Sequence, residues 1–140
     1  MNIFNFLTLK KEVSFLDSDS TIRQALEKMD NHKYNIIPLI NKEGDYIGTL
    51  SDGDLLRYVK NKCNFNISIA ENTKILDIDR YRSYKELDIS SSIEELMRLS
   101  MDQNFIPIVD DRKKFIGIVK RKTLLEYYSK KFKNSIENIK

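Results

Sequence analysis

The chain has 140 residues, 41% of them hydrophobic, enough to bury one sizeable core or two small units that share one. Its 24 Lys and Arg residues against 21 Asp and Glu leave a net charge of only +3, which argues against nucleic-acid or membrane binding driven by charge alone. No apolar run of about 18 residues occurs, so no segment is predicted to span a bilayer. The single cysteine, Cys63, cannot form an internal disulfide and fits a reducing cytoplasm.

The first predicted elements are a strand and a helix. The short apolar stretch from Val13 to Leu16 predicts the strand. Thr21 and Gln24 then have the capping-box spacing, a hydroxyl followed three residues later by Gln or Glu, which marks a helix start. Apolar side chains recur at helical spacing in the residues that follow, namely Ile22, Ala25, Leu26 and Met29.

A hairpin and a second helix complete this half of the chain. The apolar stretch "NIIPLI" predicts a strand buried on both faces, and Pro38 within it indicates a strand start or a sheet edge. The polar residues 41–45 are few enough for a hairpin turn into the next strand, "YIGTL". The apolar residues of the helix that follows are Leu55, Leu56 and Val59.

The second half of the chain repeats the first. Gly48 and Gly117 are 69 residues apart, and Pro38 and Pro107 are separated by the same interval. The stretch from Leu87 to Ile89 predicts the leading strand of this second copy, and the capping-box spacing recurs in "SSIEE". The segment 64–85, which joins the copies, contains neither Gly nor Pro and carries the apolar "ILDI", so we expect it to pack against the domains.

Each half is therefore predicted to be an α/β (α+β) unit of order strand, helix, strand, strand, helix. One such unit leaves a sheet face poorly covered, whereas two units facing each other with pseudo-twofold symmetry cover it and leave clefts along the seam. We predict a first domain at residues 1–63, a connecting segment at 64–85, a second domain at 86–133 and a C-terminal tail at 134–140.

The order of elements, the Ile-Pro strand of each copy and the stretch "IGTLSDGDLL" together resemble the cystathionine-β-synthase-type (CBS) domain, and two in tandem resemble a Bateman module. The resemblance covers the chain from about Lys11 to about Lys131. It implies a β-α-β-β-α fold for each unit and a compact disc that often dimerises. Such modules are generally not catalytic; they bind adenine-containing nucleotides between the paired domains and regulate a partner.

Gly48, Ser51 and Asp54 match the ribose-binding pattern of this family, which is Gly, two residues, Ser or Thr, two residues, Asp or Asn. The resemblance implies that Asp54 accepts hydrogen bonds from the ribose hydroxyls and that Ser51 donates to a phosphate at a helix N-terminus. The same two residues also form a good helix cap without any ligand. The spacing by itself favours the cap, and the family context favours the ribose site.

In the second copy, Lys120 and Thr123 stand where the first copy has its hydroxyl and its carboxylate, so this copy departs from the family pattern. Lys120, Arg121 and Lys122 fall at a predicted helix start, where the helix dipole disfavours cations, and a bound phosphate would compensate. Alternatively, the helix begins a residue or two later and the cations are simply solvated. Lys120, Arg121 and Thr123 are the candidate contacts of this corner.

His32 and Lys33 fall where some nucleotide-binding family members carry a His-Arg pair that contacts phosphates. His32 as a residue at a helix C-terminus, favoured there by the helix dipole, is the alternative. Met101 and Asp102, at the analogous place in the second copy, are unsuited to phosphate. The resemblance also places the backbone around Ile36 and Ile37 beside the adenine.

We expect a cytoplasmic regulatory module that binds AMP, ADP, ATP or cyclic di-AMP, forms a homodimer and signals to a protein that the residues do not identify. The abundance of Lys, Asn and Ile is typical of AT-rich bacterial genomes, and stand-alone CBS pairs that resemble this one include cyclic di-AMP binders. No metal-ligand cluster, activated nucleophile or P-loop points to an enzyme or to a cofactor. The alternative is a module for protein interaction or dimerisation that binds no nucleotide.

Overall fold

The computed structural model of the protein describes residues 1–32 and 35–139, with the backbone alone at His32. The strands are β1 (Thr8–Leu9), β2 (Leu16–Asp17), β3 (Ile36–Ile40), β4 (Tyr46–Ser51), β5 (Leu87–Asp88), β6 (Phe105–Val109) and β7 (Phe115–Lys120). The helices are α1 (Ile22–His32), α2 (Asp52–Lys62), α3 (Ile67–Ala70), α4 (Ile93–Ser100) and α5 (Arg121–Ile139). Short 3-10 turns lie at Ile3–Phe6, Lys10–Glu12 and Ile75–Asp77.

The two halves contain sheets of the same design. In the first half, β2 pairs parallel with β3, and β3 pairs antiparallel with β4. In the second half, β5, β6 and β7 repeat both pairings. Each hairpin carries a register shift at the equivalent place, between Leu39 and Ile40 and between Ile108 and Val109. The predicted fold of two α/β units is confirmed.

The segment that leads into each half packs on the sheet of the other half. β1 lies within residues 1–63, predicted as the first domain, yet it pairs antiparallel with β7 of the second sheet. The 3-10 turn before it places Ile3 and Phe6 in the core of the second half. Likewise, the segment before the second half lies along β4, where the backbone N–H of Thr49 donates to Ser83 Oγ at 3.0 Å. Each sheet is therefore completed by residues that precede the other half in sequence.

The repeated glycines are required where these segments pass over the sheets. Gly48 and Gly117 have φ angles of +148° and +156°, which residues with a Cβ rarely adopt. A Cβ on Gly117 would run into the backbone carbonyl of Thr8, and a Cβ on Gly48 would run into the side chains of Arg80 and Ser83. The glycine that recurs at the equivalent position of the two repeats is therefore required for the same steric reason in each.

Side chains cap α1 and α2 of the first core and α4 of the second core, at the positions that the sequence predicts. At α1, Thr21 Oγ1 accepts from the backbone N–H of Gln24, and Gln24 Oε1 accepts from the backbone N–H of Thr21, which completes a capping box. At α4, Ser92 Oγ accepts from the backbone N–H of Glu95 at 3.2 Å. The C-terminal helix α5 runs to Ile139, so residues 134–139, predicted as a tail, continue a helix.

Pro38 lies in the middle of β3 and not at its start. β3 is the central strand of its sheet, but the short β2 pairs only with Leu39 and Ile40. From Ile36 to Pro38 the strand therefore has a strand neighbour on one side alone, which is β4. A residue without an N–H is tolerated there because no ladder partner faces its open side. The sheet edge expected from the proline therefore exists only from Ile36 to Pro38, where β3 pairs on one side.

Three apolar clusters stabilise the molecule. Side chains of α1, α2 and the first sheet form one, and those of α4, α5 and the second sheet form another. The connecting segment adds Ala70, Ile75 and Ile78 to the first cluster, so it packs against the protein as expected. The third cluster fills the seam between the halves, where Ile40 meets Phe105 and Phe115.

Residues that are equivalent in the two repeats touch each other at the centre of this seam. Lys114 Nζ donates to Asp45 Oδ1 at 2.7 Å across an interval of 69 residues. The rings of Tyr46 and Phe115, separated by the same interval, stack with their centroids 6.3 Å apart. Only residues on a twofold axis can contact their own equivalents. These pairs therefore mark the pseudo-twofold axis.

We expect Asp45→Asn to destabilise the protein at neutral pH but not in acid. The hydrogen bond from Lys114, followed by that from Asn41, lowers the pKa of Asp45 below its ordinary value of 3.8. With a lowered folded-state pKa, the stabilisation is present above the unfolded-state pKa and is lost as the pH falls through the folded-state value. The urea midpoint of the variant should therefore lie below that of the wild type at pH 7 and approach it below about pH 3.

A matched control removes the carboxylate of an exposed pair. Asp19 Oδ2 lies 3.8 Å from Lys42 Nζ, and both side chains are mostly exposed. Asp19→Asn should change the urea midpoint little at either pH, because exposed pairs of this kind contribute little. A difference between the wild type and Asp45→Asn that stays constant from pH 7 to acid would contradict the assignment.

Candidate functional site

The candidate site lies where β4 turns into α2. β4 ends at Ser51 and α2 begins at the next residue, with Ser51 in an extended conformation. Ser51 Oγ accepts from the backbone N–H of Asp54 at 3.2 Å, and Asp54 Oδ2 accepts from the backbone N–H of Ser51 at 3.0 Å. Caps of this kind typically stabilise a helix by about 0.5–2 kcal/mol. Both residues therefore cap α2 in this structure.

The other carboxylate oxygen of Asp54 binds two further groups. Asp54 Oδ1 accepts from Arg57 Nη2 at 3.0 Å and from the backbone N–H of Tyr81 at 3.0 Å. The side chain of Asp54 is only 2% exposed, whereas that of Arg57 is 43% exposed. A buried carboxylate is unstable without donors. Here the cap, a guanidinium group and the connecting segment each supply one.

The ring of Tyr81 covers the guanidinium group of Arg57. The guanidinium carbon lies 4.3 Å from the ring centroid, which is a cation–π contact. Arg57 Nε is buried and lacks a hydrogen-bond partner in the described part of the chain. The guanidinium group is thus held by Asp54 and by the ring, but its donors are not all used.

Hydrogen bonds to β4 hold the connecting segment over this corner. Thr49 Oγ1 accepts from the backbone N–H of Tyr84 at 2.9 Å and donates to the carbonyl of Arg82 at 3.4 Å. The hydroxyl of Tyr46 donates to the carbonyl of Tyr84, and burial raises the pKa of Tyr46 so that this donor keeps its proton. The ring of Tyr84 packs edge-on against Phe105 with centroids 4.9 Å apart. The segment is therefore fixed between the two halves.

A cleft of about 460 Å³, open to solvent, lies beside these residues. Its walls are the first turn of α2 and a set of apolar, aromatic and charged side chains, which are Ile36, Arg57, Tyr81, Arg82, Tyr84 and Asp102. Cavities that hold small organic ligands typically have about 300–1,000 Å³. The cleft is therefore large enough for a ligand of nucleotide size.

Asp54 does not line this cleft but a smaller cavity next to it. That cavity, of about 30 Å³, is also lined by Tyr58 and Asp79. Arg57 and Tyr81 line both spaces. These two side chains therefore form the wall between the cleft and the carboxylate.

The equivalent corner of the second half is built differently. β7 ends at Lys120 and α5 begins at Arg121, so the helix starts at the cations and not after them. Arg121 Nε donates at 2.7 Å to the carbonyl of Ser100, the last residue of α4. A cation at a helix C-terminus is favoured by the dipole, so α4 supplies the compensation that α5 does not. Lys120 is exposed and Thr123 half-buried.

The other candidate residues from the sequence lie in different surroundings. Ile36 reaches the cleft, but the side chain of Ile37 is fully buried in the first core. The backbone of His32 ends α1, while the side chain of His32 and all of Lys33 lie outside the described residues. The structure therefore brings Ser51 and Ile36 to the cleft and places Asp54 behind its wall.

One family model matches both halves of the sequence. The model of the CBS domain matches residues 7–61 and again residues 82–130. The chain belongs to the CBS-domain family. The two matches coincide with the two repeats, so the resemblance to a tandem CBS pair is confirmed.

Solved structures share the fold of the whole CBS pair. CbpB in complex with c-di-AMP has a TM-score of 0.85 at 19% identity, over 99% of this chain and 91% of that chain. CbpB from Listeria monocytogenes in complex with c-di-AMP has a TM-score of 0.82 at 18% identity, over 93% and 96% of the two chains. CBSX2 in complex with AMP has a TM-score of 0.69 at 22% identity, over 92% and 96%. Identities this low show the common fold alone.

Two further findings concern the sequence and the helices. The chain has no significant match among curated protein sequences. None of the described helices is both long enough and apolar enough to cross a bilayer.

Four side chains of the site were missed by the sequence analysis, namely Arg57, Tyr81, Arg82 and Tyr84. Arg57 lies three residues after Asp54, so helical periodicity places both on one face and would have indicated the pair. The stretch "RYRSY" alternates cations with aromatic or polar residues, a signal that was available in the connecting segment. Asp102, at a place judged unsuited to phosphate, also lines the cleft.

We expect Asp54→Ala to lower the free energy of unfolding by about 2–4 kcal/mol, because it removes the acceptor of the Ser51 backbone N–H in the capping box and the acceptor of Arg57 and Tyr81. Urea denaturation measures the change. Asp52→Ala is the matched control, since Asp52 is an exposed carboxylate in the same helical turn. It should lose only the dipole interaction, about 0.3–1 kcal/mol. Equal losses in the two variants would show that the contacts of Asp54 do not stabilise the fold.

Proposed function

We propose that the protein is a regulatory CBS pair that binds an adenine nucleotide in the cleft between its domains. The lining of that cleft carries the proposal. Tyr81 and Tyr84 offer aromatic surface, and Arg57 and Arg82 offer guanidinium groups. A nucleotide has the complementary parts, because bases stack on aromatic rings and phosphate oxygens pair with guanidinium groups.

The first turn of α2 suits the phosphate end of such a ligand. Ser51 and Gly53 line the cleft there, where the positive end of the helix dipole favours an anion. The carboxylate of Asp102 repels phosphate and can accept from an exocyclic amino group. We therefore propose that the phosphate of the ligand lies towards α2 and its base towards Asp102.

AMP, ADP, ATP and cyclic di-AMP are the candidate ligands. Proteins of this fold have been seen with c-di-AMP, as in CbpB, and with AMP, as in CBSX2, which supports these two as first probes. Ser51, Asp54 and the backbone at Ile36 and Ile37 are the proposed contacts to phosphate, ribose and base. His32 and Lys33 are further proposed phosphate contacts, and Lys120, Arg121 and Thr123 form a second proposed corner.

We expect at least one adenine nucleotide to raise the melting temperature in a thermal-shift panel of AMP, ADP, ATP, cyclic di-AMP and GMP. A ligand at 100 times its dissociation constant adds about 2.7 kcal/mol of stability. In calorimetry, Arg82→Ala should weaken binding of the best ligand by about tenfold or more, since it removes a charge-assisted contact. Arg112→Ala is the control, because Arg112 is exposed in the second hairpin turn and should leave binding unchanged.

The regulatory part of the proposal needs only modest energetics. A ligand that contacts both domains favours one arrangement of the pair over another, and coupling of about 1–3 kcal/mol is sufficient for control of a partner protein. CBS modules are regulatory and generally not enzymes, and we propose no catalytic activity. A cytoplasmic location fits Cys63, which is buried and unpaired.

We further propose a homodimer formed through the outer helices. Leu56 on α2 and its repeat equivalent Leu125 on α5 are 61% and 62% exposed, so these two leucines of the predicted apolar faces do not pack inwards. Beside Leu56, a groove of about 390 Å³ has a mainly apolar lining that includes Leu26, Phe65 and Ile67. A second copy that covers such a surface removes it from water.

Leu56→Glu is therefore expected to convert a dimer into a monomer, as measured by light scattering after size-exclusion chromatography. A charge buried at the centre of an apolar interface is strongly unfavourable. Lys42→Glu, on the exposed first hairpin turn, is the control and should leave the mass unchanged. A wild-type protein that is monomeric at micromolar concentration would refute the dimer.

The second candidate is a protein-interaction module without a nucleotide. The engagement of the Asp54 carboxylate by Ser51, Arg57 and Tyr81 favours it, because all three donors come from the protein itself. It predicts that no member of the nucleotide panel changes the melting temperature. That result would refute the nucleotide proposal. The homodimer would still be tested separately, by light scattering.

A further inference from the structure

In this conformation a ligand in the cleft cannot reach the carboxylate of Asp54. The carboxylate is 2% exposed and lies behind the wall formed by Arg57 and Tyr81. Asp54 can meet a ribose only if at least one of these two side chains moves. Binding at this site therefore includes a rearrangement of the wall.

Hydrogen-bond capacity leads to the same requirement. A carboxylate offers about four acceptor positions. Three are occupied, by the backbone N–H of Ser51, by Arg57 Nη2 and by the backbone N–H of Tyr81. The two neighbouring hydroxyls of a ribose need two positions, so one protein donor must leave. Ser51 is held by the helix cap.

Arg57 is the donor best able to leave. Its side chain is 43% exposed and already borders the cleft, whereas the backbone of Tyr81 belongs to a segment fixed to β4 by Thr49 and Ser83. Its Nε lacks a partner among the described residues. A rotation of this side chain towards the cleft would release an oxygen of Asp54 and bring the guanidinium group to a ligand.

We propose that Arg57 exchanges the Asp54 carboxylate for a phosphate of the ligand, and that this exchange selects nucleotides over nucleosides. The inference rests on the proposed function, since it describes how the same cleft recognises its ligand. A nucleotide replaces both lost contacts, because its ribose takes the place of Arg57 on Asp54 and its phosphate takes the place of Asp54 on Arg57. A nucleoside leaves the guanidinium group without an anion.

The second domain lacks both partners of this exchange. Thr123 occupies the position of Asp54, and Glu126 occupies the position of Arg57 in the repeat. Glu126 instead lies 4.0 Å from Lys122 in an exposed pair. The exchange is therefore specific to the corner of the first domain.

Calorimetric titration of AMP and adenosine into the wild type and into Arg57→Met tests the proposal. For the wild type, we expect AMP to bind at least about tenfold more tightly than adenosine, as for a charge-assisted contact made by one ligand only. In Arg57→Met the affinity for AMP should fall and that for adenosine should rise, because Asp54 is no longer engaged by a cation. The ratio of the two affinities should shrink to within about threefold.

Controls separate the possible failures. Arg112→Met removes a cation from the exposed second hairpin turn and should leave both affinities within about twofold, which accounts for the change in net charge. Arg57→Gln keeps a donor for Asp54 without the charge and should show the same collapse of the affinity ratio. This variant tests the proposal if Arg57→Met does not fold. A wild type that binds neither compound overturns the proposed function and the exchange with it. Wild-type binding with an unchanged ratio, or with adenosine no tighter, in Arg57→Met overturns the exchange alone.

Discussion

The exchange of leading segments between the two halves is the constraint on which the structure depends. β1 completes the sheet of the second domain, and the segment around Ser83 covers β4 of the first. The close passage of these segments requires a glycine at positions 48 and 117. The same arrangement builds the cleft, because the segment that covers β4 also carries Tyr81 and Tyr84 into it. Fold and site thus share one structural cause.

Asp54 illustrates how stability and binding compete for the same atoms. Its carboxylate caps α2, pairs with Arg57 and anchors the connecting segment at Tyr81. A buried carboxylate cannot remain without donors when no ligand is present, so the protein supplies them itself. Any ligand that uses this group has to replace a contact that stabilises the empty site. The affinity of the site is therefore set partly by contacts within the protein.

Periodic and repeated features were predictable, and features that depend on the relative position of the halves were not. The caps at Thr21 and Ser92 follow from local spacing, which the structure reproduces. Arg121 was expected to lack compensation at its own helix, yet it caps α4, because the partner carbonyl is 21 residues away in sequence. The wall of Arg57 and Tyr81 likewise depends on how the connecting segment folds back, which no local pattern encodes.

The pair formed by Asp45 and Lys114 on the pseudo-twofold axis carries a consequence for the history of the chain. In an assembly of two identical copies, a residue on the twofold axis faces itself, and two carboxylates or two ammonium groups at that place would repel each other. Opposite charges there require two copies that are encoded separately, as the two repeats of one chain are. The ion pair of 2.7 Å thus shows that the repeats have diverged at the axis itself. The unequal corners at Asp54 and Thr123 record the same freedom.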